Sequence, residues 1–317
     1  MEYLNLGEVL FNLPTLKEFH GKSCQLNDTS LYTLLNFTDQ AHHALELIDL
    51  SSNNFTSLCK NIFSSFYNLI ELRLNNNHIH SIDNYLIYSL NNLKILNLAF
   101  NSIESIPNLF SPSLEYFNLS SNRIRSINDY FASNLRSIRV IDFDSNQYLY
   151  SISPRAFCFI NTLTLEKLSF RSNNLSSIDT FSEFLCRNQK TLLDLNNNLN
   201  FQCNCMLIQF QKHLMNYQEL TCIKQGQDRY FIPNIVNCTW NSCFDEKTKN
   251  LCETNNAQQL ILNGSCYMEY QLEIKQIMNK WNVTDNSTEF DEKSNAELRK
   301  QINLMYVFII YITFHRF

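Results

Sequence analysis

Six segments of this chain carry apolar residues in one and the same order. They are LELIDLSSNNF (45–55), LIELRLNNNHI (69–79), LKILNLAFNSI (93–103), LEYFNLSSNRI (114–124), IRVIDFDSNQY (138–148) and LEKLSFRSNNL (165–175), and their starts lie 24, 24, 21, 24 and 27 residues apart. All fit L-x-x-L-x-L-x-x-N-x-L, with other large apolar residues standing in for leucine. A degenerate earlier copy, LKEFHGKSCQL (16–26), puts Cys24 in the asparagine slot, and a partial copy, LDLNNN, ends the series at 193–198. Self-similarity at such a period marks a stack, because one unit cannot bury its apolar face alone and must lean on the next. The predicted fold is therefore an α/β solenoid, a horseshoe with a parallel sheet on its concave side.

The repeat can be read position by position. Positions four to six, such as Ile48-Asp49-Leu50, form a short strand whose apolar members face the core and whose polar middle member faces out. Adjacent units pair as parallel strands about 4.8 Å apart, so seven units give a sheet roughly 30 Å long. Asn53, Asn77, Asn101, Asn122, Asn146 and Asn173 come once per turn. A side-chain amide both donates and accepts, so these six are read as structural, satisfying backbone groups at the bend after each strand. Phe63, Leu86, Phe110, Phe131, Phe157 and Phe181 recur in the outer half of each unit and are expected to stack as a convex spine. Each such side chain would stabilise the fold by about 1.5–3 kcal/mol.

The outward positions of the strands supply the candidate binding residues: Asp49, Arg73, Asn97, Asn118, Asp142, Asp144 and Arg171. Phe100 flanks that face and is read as edge packing ahead of a ligand contact. Asp142 and Asp144 sit two residues apart on one strand. They suit a patch for a basic ligand better than a catalytic carboxylate pair, because no partner group accompanies them.

The pattern breaks at LNFQCNCMLIQFQKHL (199–214). Leu207, Phe210 and Leu214 there have helix spacing and are expected to cover the last open repeat. Of 11 cysteines, seven fall between Cys203 and Cys266. That clustering predicts a disulfide-knit subdomain made in an oxidising compartment. A zinc site is the weaker reading. C-x-C is not zinc-knuckle spacing, and only His213 and Cys222 come near enough to serve. The single Cys24, Cys59, Cys158 and Cys186 are read as buried free thiols. The first residues, MEYLNLGEVLFNL, resemble neither a signal peptide nor a cap, so a longer N-terminus is expected.

Residues 244–300 lose the repeat. Residues 302–314 form an apolar run of 13, about 20 Å as a helix against about 30 Å of hydrocarbon, and are read as part of a membrane span. Nine sequons occur, but 44 asparagines make several expected by chance. Asn282 and Asn286 are the best placed for glycans, whereas one on Asn118 would stand on the concave face. Net charge is −5 with no basic block, so no nucleic-acid motif is present. No phosphate loop, metal signature or nucleophile elbow occurs either. The chain is read as non-enzymatic and without a cofactor.

The repeats resemble those of the leucine-rich-repeat family. Together with NNLSSIDTFSEFLC (173–186) and LLDLNNNLNFQCNC (192–205), they resemble the membrane-proximal ectodomain of the Toll-like receptors. The resemblance implies a cap with Cys203–Cys222 and either Cys205–Cys238 or Cys205–Cys243. It also implies a cell-surface or endosomal, extracellular or lumenal location, a protein or microbial ligand on the concave or lateral face, and pairing of chains. The expected organisation is a partial repeat or improvised N-terminal edge at 1–15, about seven repeats at 16–198, a cysteine-rich cap at 199–266, a polar stalk at 267–301 and the apolar segment at 302–317. A typical member has some twenty repeats and a cytoplasmic signalling domain, so the chain is expected to be part of a receptor. An adhesion or matrix-binding leucine-rich-repeat protein is the alternative.

Overall fold

The computed structural model describes residues 15–30, 44–58, 62–83, 85–106, 109–157, 160, 163–177, 181, 184, 190–202, 213–216, 220–223 and 229–231. The chain separates into two compact units, Met1–Cys266 and Tyr267–Phe317, and every described residue belongs to the first. Several expectations fall outside the described residues. They concern Leu207 and Phe210, the stalk, the apolar run, Asn282 and Asn286, and all cysteines except Cys24 and Cys222. Among the described residues no helix is long and apolar enough to cross a membrane.

The repeats fold as three-residue strands: β1 (Glu18–His20), β2 (Leu47–Asp49), β3 (Glu71–Arg73), β4 (Ile95–Asn97), β5 (Tyr116–Asn118), β7 (Val140–Asp142), β9 (Lys167–Ser169) and β10 (Leu192–Asp194). They make one eight-stranded sheet in the order β1-β2-β3-β4-β5-β7-β9-β10, and the pairs between them are parallel, as in Ile48↔Leu72, Leu72↔Leu96 and Leu96↔Phe117. The strands begin one residue earlier than the sequence reading placed them. A second, two-stranded parallel sheet joins β6 (Ser126–Ile127) to β8 (Ser151–Ile152). The described convex segments are mostly turns.

The core is one column of leucines and phenylalanines. Ile48, Leu72, Leu96, Ile141 and Leu168 point inward from the strand centres, and Leu50, Leu74, Leu98, Leu119, Phe143 and Phe170 follow two residues later, all buried. Where phenylalanine replaces leucine in neighbouring units, the rings stack: Phe143 and Phe170 lie 5.1 Å apart with 6° between their planes. The convex spine is built as read at Phe131, Phe157 and Phe181, with centroids 6.4 and 6.0 Å apart. Phe110 departs from it. Its unit is the 21-residue one, and the shortening puts Leu109 in the core slot. Phe110 is left half-buried, with its ring 5.5 Å from Tyr88.

The asparagines bind the turns together. Asn101 Nδ2 donates to the carbonyls of Leu74 and Leu98, both at 3.0 Å, and its Oδ1 accepts the Ile79 N–H at 3.0 Å. Asn53, Asn77, Asn122 and Asn146 repeat this pattern, each reaching its own unit and the one before. Asn198 continues it with Phe170, Leu195 and Leu175, a rung that the sequence reading left out. The residue before each amide is left-handed: Ser52, Asn76, Phe100, Ser121, Ser145, Ser172 and Asn197 have φ between 54° and 62°. That bend aims each N–H at the next unit, as in Ser52 N–H to Asn75 O and Phe100 N–H to Ser120 O, both 2.9 Å.

Asn173 breaks the series. Its Nδ2 donates to Phe143 O at 3.1 Å, but its buried Oδ1 has no hydrogen-bond partner. The cause lies in the preceding unit. The sequence reading put Tyr148 in the last apolar slot, but Tyr148 is 58% exposed and Leu149 is buried in its place. One extra residue therefore separates Asn146 from its core leucine. It turns the Leu149 N–H onto Asn146 O at 2.8 Å, away from Asn173.

The far end of the sheet is covered. Leu214 pairs in parallel with Leu193, and Met215 N–H donates to Leu193 O at 2.9 Å. β11 (Thr221–Ile223) pairs antiparallel with β12 (Arg229–Phe231), and Ile223 N–H reaches Phe201 O at 2.7 Å. Leu214, Leu220 and Cys222 thereby join the core.

Deleting Gln147 should return the Leu149 N–H to Asn173 Oδ1 and relieve a buried unpaired acceptor, a gain of about 1–3 kcal/mol. Denaturant unfolding would read it as a higher midpoint at unchanged slope. A lower midpoint would mean that the insertion is itself part of the packing.

Candidate functional site

The inward members of each strand are consumed by the core, so the outward members are what a ligand could meet. Three columns of them run along the concave sheet. The first, from Leu47 through Glu71, Ile95, Tyr116, Val140 and Lys167 to Leu192, was missed by the sequence reading. The second runs Asp49, Arg73, Asn97, Asn118, Asp142, Ser169, Asp194. The third is formed by the residues two further on, from Ser51 to Asn196. Strand register sets Ile95, Tyr116 and Val140 side by side. The missed column was legible in principle: its members occupy the position before the second leucine of each unit, where the apolar ones look like core.

The second column does structural work as well. Asp49, Asn97, Asn118, Asp142 and Asp194 each use Oδ1 to accept the backbone N–H two residues on, at 2.8–3.2 Å. These Asx turns end the strands. Four predicted site residues, Asp49, Asn97, Asn118 and Asp142, therefore offer only their second polar atom to a ligand. Arg73 is engaged too, 2.6 Å from Glu71 and 3.6 Å from Asp49.

Two aspartates of this column, Asp49 and Asp142, differ electrostatically. Burial works against ionised Asp49, but the Ser51 hydroxyl (2.6 Å) and N–H, and then Arg73, outweigh it and hold the carboxyl below its ordinary value. Asp142 has no such escort. Burial pushes its carboxyl up; the Asp144 N–H and Lys167 oppose that, while the charges of Asp144 and Asp194 add to it. Asp144 Oδ1 accepts the Arg171 N–H at 2.7 Å, and Arg171 Nε stands 3.9 Å from Asp194 Oδ2. The structure thus gathers Asp142, Asp144 and Arg171 with Asp194 and Ser169, two residues the sequence reading had not selected as candidates. Asp49 and Arg73 form a separate pair two strands before Asn118.

Phe100, expected to pack at the edge, is instead 58% exposed and holds φ at 54°. A bulky residue is disfavoured there, and the equivalent slots carry serine or asparagine. The rim of the sheet holds a charge row of its own: Lys17–Glu46 at 2.7 Å, then Lys94–Glu115 at 3.1 Å, Glu115–Arg139 at 3.7 Å and Arg139–Glu166 at 2.7 Å. Ile70 interrupts it beside an open groove of about 450 Å³ lined by Lys17, Glu46, Lys94 and Asn92 among others. Arg139 also lies 5.7 Å from the Tyr116 ring centroid. These exposed pairs are screened by solvent and set charge pattern more than stability.

At the capped end, Cys222 is disulfide-bonded, with its partner outside the described residues. His213 Nδ1 lies 3.3 Å from Thr191 O. Among the described residues no cluster of histidine, cysteine and carboxylate could hold a metal ion. Cys24, read as a buried thiol, is exposed and free. It stands in the asparagine slot of the first copy, and its N–H still donates to Asn53 Oδ1 at 3.1 Å.

The leucine rich repeat family matches residues 43–111 and 112–165. No curated protein sequence matches the chain. Similar solved structures include the TLR13–ssRNA13 complex (25% identity over 63% of this chain and 27% of that one, TM-score 0.49). Mouse RP105/MD-1 (21% identity, 67% and 40%, TM-score 0.49) and human 5T4 (17%, 63% and 89%, TM-score 0.45) are others. The chain spans about a quarter of the TLR13 chain and two-fifths of the RP105 chain.

Two substitutions test the site's energetics. Folding raises the Asp142 pKa, so between its ordinary 3.8 and the raised value the native state holds a proton that the unfolded chain has lost. Stability therefore falls as pH rises through that window. Asp142→Asn keeps the Asx turn, as Asn97 and Asn118 do, and should unfold later than wild type at neutral pH. The difference should close below pH 3.8; a pH-independent difference would sink the electrostatic account. Phe100→Asn, at a left-handed position that asparagine tolerates, should add about 1 kcal/mol in denaturant unfolding. A loss would show that the ring packs against something.

Proposed function

We propose that this chain is a ligand-binding, membrane-proximal ectodomain of a Toll-like receptor, acting in innate immunity by binding and not by catalysis. The disulfide at Cys222 carries the reading. This residue is 2% exposed and disulfide-bonded where the solenoid's open end is closed, and such bonds persist in oxidising compartments. A buried half-cystine in the cap is what the resemblance assigns to Cys203–Cys222, with Cys205 linked to Cys238 or Cys243. Residues 199–266 would then be the cap, 267–301 the stalk and 302–317 the membrane-directed segment. Glycans would stand on Asn282 and Asn286, and chains could pair through this end.

The working surface in this reading is the concave sheet. Eight strands present their outward columns in register, and the core does not use those side chains. A solenoid binds in this way because its curvature lines up many residues from distant parts of the chain. The ligand would be a protein or a microbial molecule.

The test is the intact mass and peptide map of the full chain made in a secretory host behind a supplied signal peptide. A Cys203–Cys222 link with glycan on Asn282 or Asn286 is the expected result. An unglycosylated product with Cys203, Cys205 and Cys222 all reduced would overturn the reading.

A further inference from the structure

The concave sheet carries one polar group that its own structure leaves unused. Ser169 is 0% exposed, yet its Oγ has no hydrogen-bond partner. It occupies the outward column, where the neighbouring units place Asp142 on one side and Asp194 on the other, both directly in register with it. The two aspartates thus stand one strand either side of the serine, on backbones about 4.8 Å away along the sheet.

Both carboxylates are half spoken for. Asp142 gives Oδ1 to the Asp144 N–H. Asp194 gives Oδ1 to the N–H and the side-chain amide of Asn196. Each therefore keeps a single oxygen for something else, and the only cation against either is Arg171, 3.9 Å from Asp194 Oδ2 among the described residues. That distance is long for a charge-assisted hydrogen bond, and the Arg171 side chain is 46% exposed. Lys167, on the same strand, is the other nearby positive charge. Asp142, Asp144 and Asp194 outnumber the two.

We propose that Asp142, Ser169 and Asp194 form a receptor site for a primary ammonium group, presented as a lysine side chain by a protein partner. This rests on the concave sheet being the binding surface and adds what that surface recognises. The choice of ammonium follows from the acceptors. Three separate oxygens on three adjacent strands match the three N–H donors of an ammonium. A guanidinium is best held by both oxygens of one carboxylate, and here neither aspartate has both to offer. A divalent cation takes about six to eight oxygen ligands, and this site offers three. The stem of a lysine also has a place to lie. Tyr116 and Val140 form an apolar strip beside Asp142 in the neighbouring column. Arg171 occupies the approach in the free protein, and the incoming ammonium takes over Asp194 from it.

The experiment uses the purified full chain and a fluorescent, end-capped peptide Ala-Leu-Lys-Ala, with arginine and norleucine in place of lysine as controls. Binding is read by anisotropy at low ionic strength. The lysine peptide should bind tightest. Ser169→Ala, which changes no charge, should weaken it about threefold to tenfold, and Asp142→Asn tenfold or more. Arg171→Ala should strengthen it several-fold, whereas Arg125→Ala, which removes the same charge elsewhere, should not. Equal binding of lysine and arginine peptides, an unaffected Ser169→Ala, or matching gains for Arg171→Ala and Arg125→Ala would each overturn the site in favour of a diffuse acidic surface. Stoichiometric displacement by calcium would overturn it in favour of a metal. Failure of the peptide to bind a disulfide-linked, folded chain removes this site and leaves the receptor reading standing. A chain with reduced cap cysteines would remove that reading, whatever the peptide does.

Discussion

The units of this solenoid marked by Asn53, Asn77, Asn101, Asn122, Asn146 and Asn198 depend on a buried side-chain amide that hydrogen-bonds to two turns at once. A strand of three residues has too few groups to hold its own ends, and the bend that follows has no sheet neighbour to satisfy it. The asparagine supplies the missing partners: two N–H donors for carbonyls of its own and the preceding unit, and an oxygen for an N–H in the preceding unit. A leucine there would leave three buried backbone groups unpaired, at about 1–3 kcal/mol each. The left-handed residue before it is part of the same device, because only that bend carries the next N–H back into line.

The device also shows what disturbs it. At Asn173 the amide is present and the fold continues, but one inserted residue upstream has moved its donor away. In a quasi-one-dimensional stack such a defect stays local. Phe143 and Phe170 stack next to it, and the sheet passes through unbroken from β7 to β9. The proposed ammonium site lies at this same junction, on the opposite side of the strands.

The concave face works under two obligations. Its second column closes strand ends through Asx turns and also faces any ligand, so aspartate or asparagine is favoured there before binding is considered, with Arg73 and Ser169 as the exceptions. That explains the run of Asp49, Asn97, Asn118, Asp142 and Asp194 without recourse to a ligand. It also makes the exceptions informative. Ser169 cannot form the turn with an acidic oxygen, and its buried hydroxyl has no hydrogen-bond partner. Phe100 meets a related constraint at the next bend, where an exposed ring is held in a conformation better suited to asparagine.

The solenoid, the inward and outward faces of its strands and the asparagine series are legible in the order of residues alone, because a period-two strand inside a fixed repeat leaves each residue one possible side. That order also marked the point where the stack ends and cysteines take over. Insertions and partners were beyond its reach. Tyr148 matched the repeat as well as Leu149 did, and only packing chose between them, since one slot in the core had room for one side chain. Likewise, nothing in the spacing said that Lys17 would meet Glu46, that Lys94, Glu115, Arg139 and Glu166 would make a row of ion pairs, or that Ser169 would stand between two aspartates. Those residues lie about 20 to 30 positions apart, and it is strand register, set by the hydrophobic core, that brings them together.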